Sequence, residues 1–182
     1  MDDRMLMVQL ARDQVGTTEN PAGSNNVVYN TEYYGHAVSG TNYAWCLVFI
    51  WWLFHRLGLD QLYYDGKKTA YCPTLQAWAK RVGQTVPYAD AQQGDIVFLD
   101  WNANGDPDHV GICVGRAANG DLLTVEGNVS DAVRQMQRAE FKDGKRQVCC
   151  IWRPSYTPPA QSPYVTRDEL REIISAALEK LK

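Results

Sequence analysis

Cys46-Leu-Val-Phe-Ile-Trp-Trp-Leu-Phe-His-Arg-Leu57, closed by Gly58, is the stretch whose reading decides the fold. It is apolar almost all round, and the glycine suits a left-handed C-cap. A helix without a polar face must be covered from every side, so this one is predicted to run through the centre of the domain. Upstream, residues 17–43 read as loop, rich in Asn, Gly, Ser and Tyr and punctuated by Pro21. Before that, Met5, Leu6, Val8, Leu10 and Val15 lie among polar residues, as in a helix over residues 3–15 that ends before Gly16. Downstream, a short helix is expected from Thr74 to Val82, after Pro73.

From Gly94 onward the pattern changes. Gly94-Asp-Ile-Val-Phe-Leu-Asp-Trp101, His109-Val-Gly-Ile-Cys-Val-Gly115, Leu122-Leu-Thr-Val-Glu126, Val133-Arg-Gln-Met-Gln-Arg138 and Gln147-Val-Cys-Cys-Ile-Trp152 are short runs separated by Asn, Gly and Asp turns. Several alternate apolar and polar residues, as antiparallel strands do. Helices first and a meander of strands afterwards predict an α+β domain, with helices packed on a central antiparallel sheet of about five or six strands. That domain is expected over residues 1–153. Residues 154–164 read as a Pro-rich linker. Residues 165–182 read as an amphipathic C-terminal helix, with Thr166 and Glu169 as a capping box and Leu170, Ile173, Ile174, Ala177, Leu178 and Leu181 as one stripe. The stripe must be covered by docking on the domain, by self-association into a homo-oligomer or by a further module; all three stay open.

The composition is that of a folded globular chain, 45% apolar and 21% charged. A formal charge of −3 and a pI near 5.6 exclude nucleic acid as the expected partner, because phosphate binding needs a basic face. No segment reaches the roughly 18 apolar residues of a membrane span, so no membrane insertion is expected. The acidic start, Met1-Asp-Asp-Arg4, does not read as a secretory signal. Five cysteines, two of them adjacent, argue against a disulfide scaffold and for free thiols.

Cys46 differs from the other cysteines by position. It begins the apolar helix, where backbone N–H groups and the helix dipole favour an anion, and a thiolate is the nucleophilic form of cysteine. An inert buried thiol is the commoner fate of cysteine. That reading suits Cys113, Cys149 and Cys150, inside apolar strand runs, while Cys72 in a Tyr-Cys-Pro turn is uninformative. His109 opens a strand after an Asp/Asn-rich turn, where an imidazole can exchange protons with a substrate. His36 and His55 are better explained structurally. Glu126 and Asn128 lie two apart at a strand end and so share a face; either could fix the imidazole tautomer, the third role in a thiol–imidazole unit. Taken alone, Glu-Gly-Asn is also an ordinary polar turn.

Ala44-Trp45-Cys46-Leu-Val-Phe49, Gly94-Asp95-Ile-Val-Phe98, Asp108-His109-Val-Gly111 and Val125-Glu126-Gly127-Asn128 together resemble the successive signatures of CHAP domains, the cysteine- and histidine-dependent amidohydrolases/peptidases. The resemblance covers about residues 5–153 and implies a papain-like fold. It implies that Cys46 attacks an amide carbonyl, that His109 moves the proton, and that Glu126 with Asn128 orients the ring. The Cys46 N–H would face the oxyanion, with a second donor from Asn42 or Tyr43. The implied substrate is bacterial peptidoglycan, cut between muramic acid and alanine or within its peptides, as by phage endolysins and bacterial autolysins. A protein of that kind is expected to be made in the bacterial cytoplasm and to reach the wall after release. It would hold the wall by shape, by the aromatic residues Tyr43, Trp45 and Trp101, or through a further module. Two alternatives are an inactive wall-binding or assembly module and a related NlpC-type endopeptidase or acyltransferase.

Asp100-Trp-Asn102-Ala-Asn104-Gly-Asp106-Pro-Asp108 sets oxygen side chains at alternate positions with glycine sixth, like the first half of an EF-hand. It is a candidate Ca²⁺ loop, although Gly111 stands where an EF-hand needs its bidentate Glu. The competing reading is a polar hairpin turn. No Cys or His pair has the spacing of a zinc site.

Overall fold

The structure is a computed structural model and describes residues 2–156. The expected helix over 165–182, and the linker beyond Tyr156, lie outside the described residues. Four α-helices precede an antiparallel sheet: α1 (Asp3–Asp13), α2 (Val28–Tyr34), α3 (Cys46–Arg56) and α4 (Cys72–Arg81). The strands are β1 (Ile96–Leu99), β2 (His109–Arg116), β3 (Leu122–Val129), β4 (Ala132–Arg138), β5 (Phe141–Lys142), β6 (Lys145–Arg146) and β7 (Val148–Trp152). Five of them form one sheet in the order β4-β3-β2-β1-β7, and β5-β6 is a separate small hairpin. The fold is α+β, as the order of helical and strand patterns predicts.

The central helix is as buried as its sequence requires. Every residue from Cys46 to Phe54 is buried, and Gly58 ends the run with φ +68°. Its α-helical neighbours and the sheet share one apolar core, to which β1 gives Ile96 and Phe98 and β2 gives Val110 and Ile112. Val97 and Leu99 point the other way, into a smaller cluster with Leu122 and Ile151. Both faces of β1 are thus covered, which is why it is a continuous apolar run rather than an alternating one.

Two expectations need correction. Residues 28–34 are helical, not loop: Tyr29, fully buried, packs its ring against Trp45, Phe49 and Trp52 at centroid distances of 4.9–5.5 Å. Tertiary burial of one aromatic overrides the weak helix propensity of Val-Tyr-Asn-Thr. The helix expected from Thr74 begins at Cys72, because Pro73 sits inside its first turn, where a missing N–H costs nothing.

The Gly94-Asp95 pair works as a clamp on this scaffold. Asp95 is fully buried and accepts from Arg4 (3.3 Å), from Arg153 (2.7 and 3.1 Å) and from the Gln92 N–H (2.9 Å). It ties α1 and the chain after β7 to the start of β1. Packing continues to Tyr156, whose hydroxyl donates to Gly94 O at 2.7 Å.

Candidate active site

Cys46 is the first residue of α3, where the N–H groups of the opening turn lack intrahelical acceptors and the helix dipole favours an anion. His109 is the first residue of β2. Both are nearly covered, 8% and 9% exposed, and solvent reaches the thiol through a cleft of about 360 Å³ that Tyr71, Pro73, Asn104 and Asp106 help to line. The imidazole Nε2 lies 3.0 Å from Glu126 Oε2. That contact favours the Nε2–H tautomer and leaves Nδ1 for the thiol, and the charges of the two groups favour each other.

Glycines make this arrangement possible. A Cβ on Gly111 would stand 2.5 Å from Glu126 Cγ, so the bare backbone of β2 is the slot through which the carboxylate reaches the ring. A Cβ on Gly127 would stand 2.7 Å from Phe49 Cβ and 2.8 Å from the Trp45 ring, so β3 lies flush against the start of α3. Glu126-Gly127-Asn128 is therefore strand packed on helix, not a loose polar turn. The β3–β4 register shifts between Glu126 and Val129, and Asn128 has φ +61°. The bulge breaks the alternation that would keep Glu126 and Asn128 on one face. Only Glu126 reaches the ring; the Asn128 side chain has no hydrogen bond among the described residues.

Glu126 is fully buried, yet four donor groups hold it ionised. Arg138 grips it bidentately at 2.8 and 2.6 Å, Thr124 donates at 2.5 Å, and His109 faces it. Burial raises its pKa, but hydrogen bonds and charge from Arg138 and His109 outweigh this and bring it to about 2. Burial likewise lowers the His109 pKa, and the contacts with Cys46 and Glu126 more than reverse this, to about 9. The Cys46 thiol is held well below the ordinary cysteine value, first by a hydrogen bond from Cys72 and then, against burial, by His109 and the Leu47 N–H. Thiolate, imidazolium, carboxylate and guanidinium alternate in sign through the site.

Two of these groups escape a reading of the sequence. Arg138 belongs to β4, and its guanidinium lies 4.9 Å over the ring of Trp101, which is also 6.0 Å from that of His109. Cys72 opens α4, with its sulfur 4.0 Å from that of Cys46. The helix-start argument that singles out Cys46 would have found it, had Pro73 been taken as the first turn of a helix.

The remaining candidates separate clearly. Trp45 is fully buried, its indole N–H donating to Glu19 at 2.7 Å, so it cannot touch a substrate; Trp101, 43% exposed, can. Tyr43 has its N–H engaged by Gly40 O at 3.2 Å. His55 stacks on Trp51 and pairs with Asp60 at 2.8 Å. In the candidate calcium loop, Asp100 accepts from the N–H groups of Asn102, Ala103 and Gly105, Asn102 from Asn104, Asn104 from Asp106, and Asp108 from Trp101. Among the described residues no three His, Cys, Asp or Glu side chains converge to hold a metal. The oxygens of Asp100–Asp108 brace a turn that delivers His109, and no chemistry is assigned to a metal there.

The CHAP domain profile matches residues 38–128, half of the chain, a span that includes Cys46, His109 and Glu126 but not Arg138. The chain belongs to the CHAP family. No curated protein matches its sequence. Among solved structures this CHAP chain is similar to the peptidoglycan hydrolase RipB from Mycobacterium tuberculosis, at 18% identity and a TM-score of 0.47, over 83% of this chain and 64% of that one. It thus spans less than two thirds of that protein's length.

Proposed function

We propose that the protein cleaves an amide bond of peptidoglycan with Cys46 as nucleophile and His109 as proton carrier. The observation that carries this is the alignment of a helix-start thiol with an imidazole whose far nitrogen is held by a buried, ionised carboxylate. In this reading the Cys46 thiolate adds to the amide carbonyl, and the oxyanion is received by the N–H at the start of α3. The His109 imidazolium then protonates the leaving amine from Nδ1, and the neutral ring next takes a proton from the water that hydrolyses the thioester. Glu126 keeps Nε2–H oriented throughout, and Arg138 keeps Glu126 charged.

The scissile bond is the one joining muramic acid to the first alanine, or one within the stem or bridge peptides. A role in phage-type lysis belongs to the same proposal and rests on the family resemblance. Digestion of purified cell walls tests the reading. The wild-type protein releases soluble fragments whose new termini, read by mass spectrometry, name the bond, and Cys46→Ala releases none. Release by Cys46→Ala at the wild-type rate would remove the thiol from the mechanism.

A further inference from the structure

The mechanism leaves one nucleophilic group of the cleft unused. Cys72 is buried, lines the same cleft as Cys46 and lies 4.0 Å from it, sulfur to sulfur. Each of the two residues opens its helix, Cys46 in α3 and Cys72 in α4. Cys113, Cys149 and Cys150 sit on β2 and β7 and do not line the cleft.

We propose that Cys46 and Cys72 form a reversible disulfide, with a peroxide as oxidant, that switches the enzyme off. The inference rests on Cys46 being the reactive thiolate, because the sulfur that attacks a carbonyl is also the sulfur that attacks a peroxide. In the first step Cys46 S⁻ displaces hydroxide from the O–O bond. Its sulfur is oxidised by two electrons to the sulfenic acid, the peroxide is reduced, and the hydroxide leaves as water with the proton of the His109 imidazolium. In the second step the Cys72 sulfur attacks the sulfenic sulfur. The S–S bond forms, the S–O bond breaks, and the hydroxyl leaves as water with the Cys72 proton. Two thiols and one peroxide become one disulfide and two waters.

The geometry suits both steps. Closing the sulfurs from 4.0 Å to a bond of about 2.05 Å asks for movements that χ1 rotations supply. Inside a helix one χ1 well is blocked by the preceding turn, but a residue that opens a helix has no preceding turn. The roles are also distinct. His109 faces Cys46 and holds it anionic, whereas Cys72, against that anion and buried, is kept protonated. One thiol is poised to react first and the other to resolve it. Without a resolving thiol, excess peroxide drives a sulfenic acid on to the irreversible sulfinic acid.

The test treats the purified full-length protein with hydrogen peroxide, blocks free thiols, and maps peptides by mass spectrometry without reduction. The wild-type protein loses the mass of two hydrogens and yields the Cys46 peptide linked to the Cys72 peptide. Wall-digesting activity falls by about tenfold or more and returns with dithiothreitol. In Cys72→Ser, and in Cys72→Ala should the serine disturb folding, Cys46 gains oxygen, no link forms, and dithiothreitol does not restore the variant's own starting activity. A wild-type protein in which Cys46 goes to sulfinic acid unlinked, or in which both thiols stay free, overturns the proposal. The link is read by mass and needs no turnover, so a protein that forms it yet digests no wall overturns the hydrolase reading alone.

Discussion

At the scale of the residue, Glu126 decides how His109 behaves. A carboxylate with no exposed surface would ordinarily take up a proton, and it is Arg138 that prevents this. In the proposed mechanism activity requires the thiolate together with the imidazolium, so its pH profile rises with ionisation of Cys46, well below the ordinary thiol value, and falls as His109 loses its proton near 9. Glu126→Gln removes one of the two contacts that raise the His109 pKa. The alkaline limb of kcat/KM then moves down toward the ordinary histidine range, and the maximum drops roughly 10²–10⁴-fold, as for other orienting carboxylates. An alkaline limb that stays near 9 in this variant would take Glu126 out of its role. Cys46, His109 and Glu126 were legible in the sequence because each argument is local: a thiol at a helix start, an imidazole at a strand start, a polar residue ending an apolar strand. Arg138 was not, because it enters the site through strand pairing, which no window of sequence contains; Cys72 is legible only once Pro73 is taken into the first turn of a helix. Strict alternation puts Asn128 on the same face as Glu126, and a bulge at that spot breaks the alternation.

At the scale of the element, helix α3 and strand β3 meet with nothing between them but Gly127. Gly127→Ala places a methyl group against Phe49 and Trp45, the residues on either side of Cys46 along the helix start. Overpacking of this kind costs about 1–3 kcal/mol, which corresponds to a fall in Tm of roughly 2–12 °C for a domain of this size. Because the shifted element carries the nucleophile, wall digestion should fall further than stability alone explains; calorimetry beside a kinetic assay checks this, and an unchanged Tm would show that the contact is soft. The helices α1 and α3 and the sheet strands were legible from periodicity and glycine punctuation. Helix α2 was not, since what holds it is the burial of Tyr29 against three rings from distant residues. In the acidic loop, the Asp100 carboxylate accepts from backbone N–H groups of its own turn.

At the scale of the whole molecule, the buried ion pairs set the pH range of stability. The Glu126 pKa is depressed to about 2, so its contribution is complete above the ordinary value of 4.5 and is lost as pH falls through about 2. The His109 pKa is raised to about 9, so its contribution is complete below the ordinary 6.5 and is lost as pH rises through about 9. Between 6.5 and 9 the Cys46 thiolate, whose pKa is depressed, gains what His109 loses, so Tm measured across pH should fall chiefly on the acid side, as pH drops from about 4.5 toward 2; a Tm that stays level over that span would contradict the Glu126 assignment. The strand order has a consequence for biosynthesis. His109, Glu126 and Arg138 come from three consecutive, neighbouring strands, a local meander of the kind that pairs early, while Cys46 belongs to a helix made before any of them. A chain emerging from the ribosome thus carries its thiol for dozens of residues with no imidazole to activate it. In the proposed mechanism, reactivity therefore arises only when the helix is clasped by the finished sheet.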